Sequence, residues 1–236
     1  MSRLFTKLFK HHGLFCRRGT TDNQLVSGAR TEYRLLNLTS GDVVLDIGGH
    51  VGGFARHAEA LGVARVISVE PDSDNFGLLR KNTIGFGKIT RINRAVVSSK
   101  VTSWKVTLYR NTHKSRGLHT LLPMRGRKPV IVRAIQFLKL LRKYRPDKVK
   151  CDCEGGEYDL LFNTILPKFV KRLAIEIHFQ PKAVVGPLAV KLHKRILSQG
   201  FVAVREPRFG LYHRKGVGIV PVGRHTLAVY KRKIYE

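Results

Sequence analysis

The chain has 236 residues, 43% of them hydrophobic and 25% charged, with only three cysteines. That balance builds a sizeable core and excludes collagen-like, disordered and disulfide-stapled chains; no run reaches the roughly 18 uncharged apolar residues of a membrane-spanning helix. The distinctive quantity is charge: 44 Lys and Arg oppose 16 Asp and Glu, a formal +28.

Residues 1–29 read as a basic amphipathic extension. Leu4, Phe5, Leu8 and Phe9 recur at helical spacing, and no acid precedes Asp22. Lys7 and Lys10 interrupt any secretory apolar run. A mitochondrial presequence, a helix in peripheral contact with an anionic membrane and an RNA-binding arm all stay open. Residues 30–236 read as one domain. Residues 30–38 suit a short helix before a turn at 40–42. VVLDI (43–47) is an apolar strand, 54–61 a helix, RVISV (65–69) a strand and 72–82 a helix. Residues 89–97 form a third strand, 103–109 an alternating hairpin arm, and 130–141 a strand passing into a helix. A strand at 148–153, a helix at 157–166, a strand at 173–179 and a helix at 188–198 follow. Strands at 201–205 and 226–230 come last. Apolar strands separated by helices predict an α/β, doubly wound, mostly parallel sheet covered on both faces, with the last strands as an antiparallel edge.

The cysteines, Cys16, Cys151 and Cys153, are sparse and odd in number, which indicates a reducing, intracellular compartment. Cys151 and Cys153 have no second Cys or His pair at suitable spacing, so no metal is expected there.

The acids are not scattered. Eleven of the 16 lie in two windows, Asp42–Asp74 and Asp147–Asp159, while residues 75–146 hold 18 Lys and Arg and no acid. A chain this basic keeps carboxylates mainly where something requires them. In the first window the strand at 43–47 runs into Gly48-Gly49-His50-Val51-Gly52-Gly53. A P-loop needs Lys after its last glycine, and Phe54 stands there; G-x-G-x-x-G needs Gly where His50 stands. What remains is Asp46 before a glycine loop and, 22 residues after Gly48, Glu70 at the end of the next strand. A carboxylate there grips ribose hydroxyls. With Asp46 suited to a cationic ligand, the combination points to S-adenosylmethionine, held by Asp46, Gly48, Gly49, His50, Gly52 and Glu70. Asn93 and Ala95, on the third strand, fall near the adenine.

In the second window, period two puts Lys150, Asp152 and Glu154 on one strand face and the two cysteines on the other. Gly155-Gly156 turns the chain, and Glu157 starts a helix where its charge suits the dipole. Carboxylates without a partner Lys would repel, so a sulfonium or an attacking hydroxyl accounts for their proximity; a capping box with salt bridges is the alternative. Glu176-x-His178 ends the next strand at the same sheet edge. His178 reads equally as a general base or as a hydrogen-bonded pocket wall.

The segments VVLDIGGHVGGFARHA, VISVEPDSDNFGLLRKN, KCDCEGGEYDLL and LAIEIH resemble the FkbM-type S-adenosylmethionine-dependent methyltransferases, over roughly residues 40–230. The resemblance implies a seven-stranded, Rossmann-like class I methyltransferase fold and O-methylation of a hydroxyl. It carries cofactor contact to Asp46, Gly48 and Glu70, and a site-edge role to Asp152, Glu154 and Glu157. His50 stands where the family usually has Asn or a small residue. The expected function is O-methyl transfer to a hydroxyl, of RNA first, with Asp152, Glu154, Glu157 and His178 positioning or deprotonating the acceptor. Residues 114–128, 139–150 and 205–232 would track phosphates, with Phe209, Tyr212 and Tyr230 stacking on bases. The alternatives are a sugar or small-metabolite acceptor, and a non-catalytic, ribosome-associated RNA-binding protein.

Overall fold

A computed structural model describes residues 7–111, 117–178, 185–208, 211–214, 218–221 and 225–233. An antiparallel hairpin comes first, β1 (Leu8–His11) and β2 (Leu14–Arg17), followed by α1 (Asp22–Thr31) and a 3₁₀ turn at Arg34–Leu36. Leu8 and Phe9 are therefore in a strand, not on a helix. His12 and Gly13 both adopt positive φ (47° and 77°), the two-residue turn whose twist suits a hairpin. Arg17 and Asp22 form a buried ion pair at 2.8 Å that ties this hairpin to α1. Leu14, Cys16 and Val26 then pack with Val51 of the glycine loop and with Leu78. The helix expected at 30–38 does not form: α1 lies earlier, at Asp22–Thr31, and a 3₁₀ turn follows, closed by Asn37 in the left-handed region.

The domain continues through β3 (Val43–Ile47), α2 (Gly53–Ala60), β4 (Arg65–Val69), α3 (Ser73–Thr83) and β5 (Ile89–Ile92). Next come β6 (Ala95–Val97), β7 (Lys105–Arg110), β8 (Lys128–Gln136), α4 (Phe137–Tyr144), β9 (Lys148–Cys151) and α5 (Glu157–Phe162). The chain finishes with β10 (Arg172–His178), α6 (Val185–Leu197), β11 (Phe201–Arg205), β12 (Leu211–Arg214), β13 (Gly218–Pro221) and β14 (His225–Arg232). The seven-stranded sheet has the order β11-β14-β10-β9-β3-β4-β5. On one face Val44, Val66, Ala174 and Val229 pack under Ala29, Phe54 and Ala58; on the other Leu45, Ile67, Val149 and Ile175 pack under Leu140, Leu161 and Leu192. Both faces are covered, as a mostly parallel sheet requires.

Two expectations need correction and one is refined. The last strands do form the antiparallel edge, but β14 pairs antiparallel with both β10 and β11 and lies between them. Ala228, Val229 and Tyr230 are fully buried, too apolar for an edge position, and the half-exposed β11 takes the edge. Residues 89–97 are two strands. Asn93 donates to the carbonyls of Glu70 (2.9 Å) and Pro71 (3.2 Å), which draws the chain out of the ladder, so β6 joins β8 and β7 in a separate three-stranded sheet. Helix α5 stops at Phe162: the Asn163 side-chain amide donates to the Asp159 carbonyl, and the Leu166 N–H donates to Gln199 outside the helix.

The chain proceeds outward from β3 through β4 to β5 and, on the other side, from β9 to β10. The direction reverses between β3 and β9, and the crevice outside their carboxyl ends is where open α/β sheets bind ligands. Gly48 sits there with φ +82°, and a Cβ on it would lie 1.8 Å from the Asp152 carbonyl oxygen. We predict that Gly48→Ala lowers unfolding stability in urea by more than the about 1–2 kcal/mol of left-handed strain alone. Gly87→Ala, where an added Cβ meets nothing, should stay within about 0.5 kcal/mol of the parent; equal effects of the two would refute the close approach.

Candidate active site

A cavity of about 350 Å³ opens at the carboxyl ends of β3, β4, β9 and β10. Gly48, Gly49 and His50 form one wall of it. The loop is shaped by its neighbours: Gly48 and Gly49 both donate to the Val69 carbonyl at 3.0 Å, and a Cβ on Gly49 would meet Ser68 Oγ at 2.1 Å. These glycines let the loop lie against the ends of β4 and β9. Gly52, φ +93°, begins α2 and is not part of the wall. His50 is largely but not fully buried; desolvation pushes its pKa down to about 3, although Asp22 stands 3.4 Å away.

Glu70 lines the cavity at the end of β4. One carboxylate oxygen accepts the His50 N–H and the other the Asp72 N–H, both at 2.9 Å. Burial, then the neighbouring Asp72, raises its pKa to about 8. Ala95 also lines the cavity, whereas Asn93 does not, its amide being spent on backbone carbonyls. Asp46 lies beneath the loop: it accepts from Ser68 Oγ at 2.7 Å and meets Lys150 Nζ at 3.2 Å. It is fully buried and not on the cavity wall.

Lys150, expected at the end of a phosphate-tracking stretch, lies inside the site instead. Its ammonium is buried, donates to the Gly48 carbonyl at 2.7 Å and stands 3.5 Å from Asp152. Burial opposes its charge, but Asp46 and then Asp152 raise its pKa. The acid block therefore has its own cation, and the premise of unpartnered carboxylates is corrected. Asp152, Glu154, Glu176 and His178 all line the cavity. Tyr33, from the 3₁₀ turn, donates to Asp152 (3.4 Å) and Glu176 (3.3 Å). Burial, then Glu176, raises the Asp152 pKa to about 7. His225 pairs with Glu176 at 2.9 Å.

Glu157 is fully buried and away from the cavity wall. It accepts the backbone N–H of Gly155 at 2.9 Å and of His178 at 2.7 Å, and contacts His178 Nδ1 at 3.2 Å. Burial opposes a charge on His178, yet Glu157 and then Glu154 hold its pKa well above the usual imidazole range. While His178 carries this ion-paired proton it is a pocket wall; once the proton is displaced, Nε2 has a lone pair for a proton or a ligand. Among the basic stretches, Lys150 and Tyr230 are buried, and Tyr230 contacts His193 Nδ1 at 3.0 Å, so it is no stacking surface. Phe209 and residues 112–116 lie outside the described residues. Sequence reading also missed the part of the wall built by Gly117, Leu118, His119 and Leu121; no local pattern marks these as cavity residues.

Residues 46–203 match the methyltransferase FkbM domain. The chain belongs to the FkbM methyltransferase family. It is an S-adenosylmethionine-dependent methyltransferase. No curated protein matches it in sequence. Among solved structures it is similar to the precorrin-6y C5,15-methyltransferase of Geobacter metallireducens, at 12% identity, 93% coverage of both chains and a TM-score of 0.50. It is likewise similar to the ribosomal protein L11 methylase of Lactobacillus delbrueckii, at 11% identity, covering 90% of this chain and 80% of that one, with a TM-score of 0.50. These likenesses concern the fold. The cavity fits the cofactor: a buried carboxylate at the end of β4 suits ribose hydroxyls, and the acidic wall at β9 and β10 suits an ammonium and a sulfonium.

Glu157 holds both the turn at 153–155 and the end of β10. Replacing it by Gln turns one acceptor into a donor facing buried N–H groups. We expect Glu157→Gln to lose about 3 kcal/mol of stability in a urea melt; a loss under about 0.5 kcal/mol would show that this carboxylate is not the staple described.

Proposed function

We propose that this enzyme transfers a methyl group to a hydroxyl oxygen of RNA. The observation that carries the reading is where the acid-free segment lies in the fold. Residues 75–146 contribute β6, β7 and β8, and Arg94, Ala95, Val96, Leu108, Gly117 and His119 of this segment line the cavity. The sheet next to the cavity thus carries no acid, and its cations lie on β7 and β8. Lys105 and Arg133 are cross-strand partners. Trp104, the sole tryptophan, is 61% exposed with Lys105 Nζ 4.1 Å above its ring. Exposed aromatic rings among cations suit the bases and phosphates of a single strand.

In this reading Glu70 and the backbone of Gly48–His50 hold the adenosine, and Ala95 borders it. S-adenosylmethionine supplies the methyl group on a sulfonium, and the reaction forms an oxygen–carbon bond as the carbon–sulfur bond breaks. The chain aligns the hydroxyl, excludes water and disposes of one proton. The acidic wall of Asp152, Glu154 and Glu176 receives that hydroxyl. His178 and Lys150 balance the charge of these carboxylates; Asp46 and Glu157 act one layer deeper, by positioning Lys150 and His178.

Two measurements test this. Isotope-labelled methyl groups from the cofactor should enter total RNA and not a small-molecule extract, and RNA affinity should fall steeply with salt. Label only in the small-molecule extract would replace RNA by a sugar or metabolite; label in neither, with cofactor bound, would favour a non-catalytic RNA-binding role. Separately, Glu70→Ala should weaken the cofactor by about 10-fold or more in calorimetry and leave RNA affinity unchanged. Unaltered cofactor affinity would remove Glu70 from the ribose.

A further inference from the structure

We propose that the acidic wall is also a divalent metal site, with Asp152, Glu154 and His178 as its protein ligands and the remaining positions open to the cavity. One atom from each of the three lies within 4.8 Å of the other two. His178 Nε2 is 3.5 Å from Glu154 Oε2 and 3.9 Å from Asp152 Oδ1. Ligand atoms bonded at about 2.0–2.2 Å to one ion stand roughly 3.0–3.5 Å apart at octahedral or tetrahedral angles, so small side-chain movements complete the set.

His178 is presented as metal-binding imidazoles are. A fully buried carboxylate, Glu157, engages Nδ1 at 3.2 Å and fixes the ring, which leaves Nε2 aimed between the two other carboxylates. Glu157 is itself anchored by the N–H groups of Gly155 and His178. Glu176 Oε1 adds a further carboxylate oxygen 3.9 Å from Nε2. Lys150 stands 3.5 Å from Asp152, but Asp46 and the Gly48 carbonyl also hold its ammonium, so by itself it does not balance Asp152, Glu154 and Glu176. A second grouping, Glu176, His178 and His225, is also close enough for an ion. There His225 already pairs with Glu176 and is half-exposed, so the deeper group is the better site. Two carboxylate oxygens and one imidazole nitrogen suit Mn²⁺, Fe²⁺ or Zn²⁺ over Ca²⁺.

The site borders the cavity in which the acceptor is placed by the proposed function, and the ion's use rests on that reading: a hydroxyl bound to it would be a stronger acid, as metal-bound water is, and would pass its proton to solvent. The ion's binding does not rest on it and is measured with neither RNA nor cofactor.

The test is titration of the metal-free full chain with Mn²⁺, followed by the loss of the free-ion electron paramagnetic resonance signal. One ion per chain should bind saturably. Glu154→Gln and His178→Gln should each weaken it by at least about 10-fold, while His225→Gln leaves it within about 2-fold. The parent chain loaded with Mn²⁺ should show ¹⁴N coupling from an imidazole in electron spin-echo spectra, a result that needs no variant to fold. Absence of saturable binding, absence of ¹⁴N coupling, or binding lost only in His225→Gln would each overturn the assignment.

Discussion

One buried ammonium holds the two halves of this sheet together at the point where they carry the site. Lys150 stands opposite Asp46 in the parallel ladder of β3 and β9, and its Nζ reaches the Asp46 carboxylate, the Gly48 carbonyl and Asp152. Both members of the Lys150–Asp46 pair are out of water, where an ion pair gains from good geometry and a lone charge is very costly. The glycine loop and the acid block can therefore approach until the α-carbon of Gly48 leaves no room for a side chain beside the Asp152 carbonyl. The glycine-loop wall and the acidic wall of the cavity follow from this contact.

The scarcity of acids in so basic a chain acquires a structural meaning from the same packing. Many of them serve the backbone before they serve a ligand. Asp42 accepts the Thr39 N–H, Asp147 the Val43 N–H, Asp72 caps α3, and Glu157 binds the turn that follows β9. Asp22 anchors the hairpin through Arg17. Of those that reach the cavity wall, Glu70, Asp152, Glu154 and Glu176 come from the ends of three strands and Glu32 from the end of α1. The acid-free segment builds the neighbouring sheet and contributes Arg94 and His119 to the same cavity.

Much of this was legible in the sequence. The apolar strands, the glycine loop, Glu70 at its spacing and the block from Asp152 to Glu157 all carry local patterns, and the structure brings them to one sheet edge. What local pattern does not carry is register. The pairing of Asp46 with Lys150 depends on which strand lies next to β3, 100 residues away in sequence. The insertion of β14 between β10 and β11 depends in the same way on burial in the assembled sheet. The hairpin at the amino end was missed for a different reason: apolar pairs at Leu8 and Phe9 fit a helix as well as a strand, and the turn chemistry of His12-Gly13 decides between them. Tyr33, His119 and His225 reach the cavity from elements with no motif at all.

The central claim is that Lys150 and Asp46 act as one unit. A double-mutant cycle in urea unfolding, with Lys150→Met, Asp46→Asn and the double variant, measures this directly. We predict that Lys150→Met alone costs about 3–5 kcal/mol, because it strands a buried carboxylate, and that the double variant regains much of that loss. Losses that add within about 0.3–0.5 kcal/mol would contradict the account.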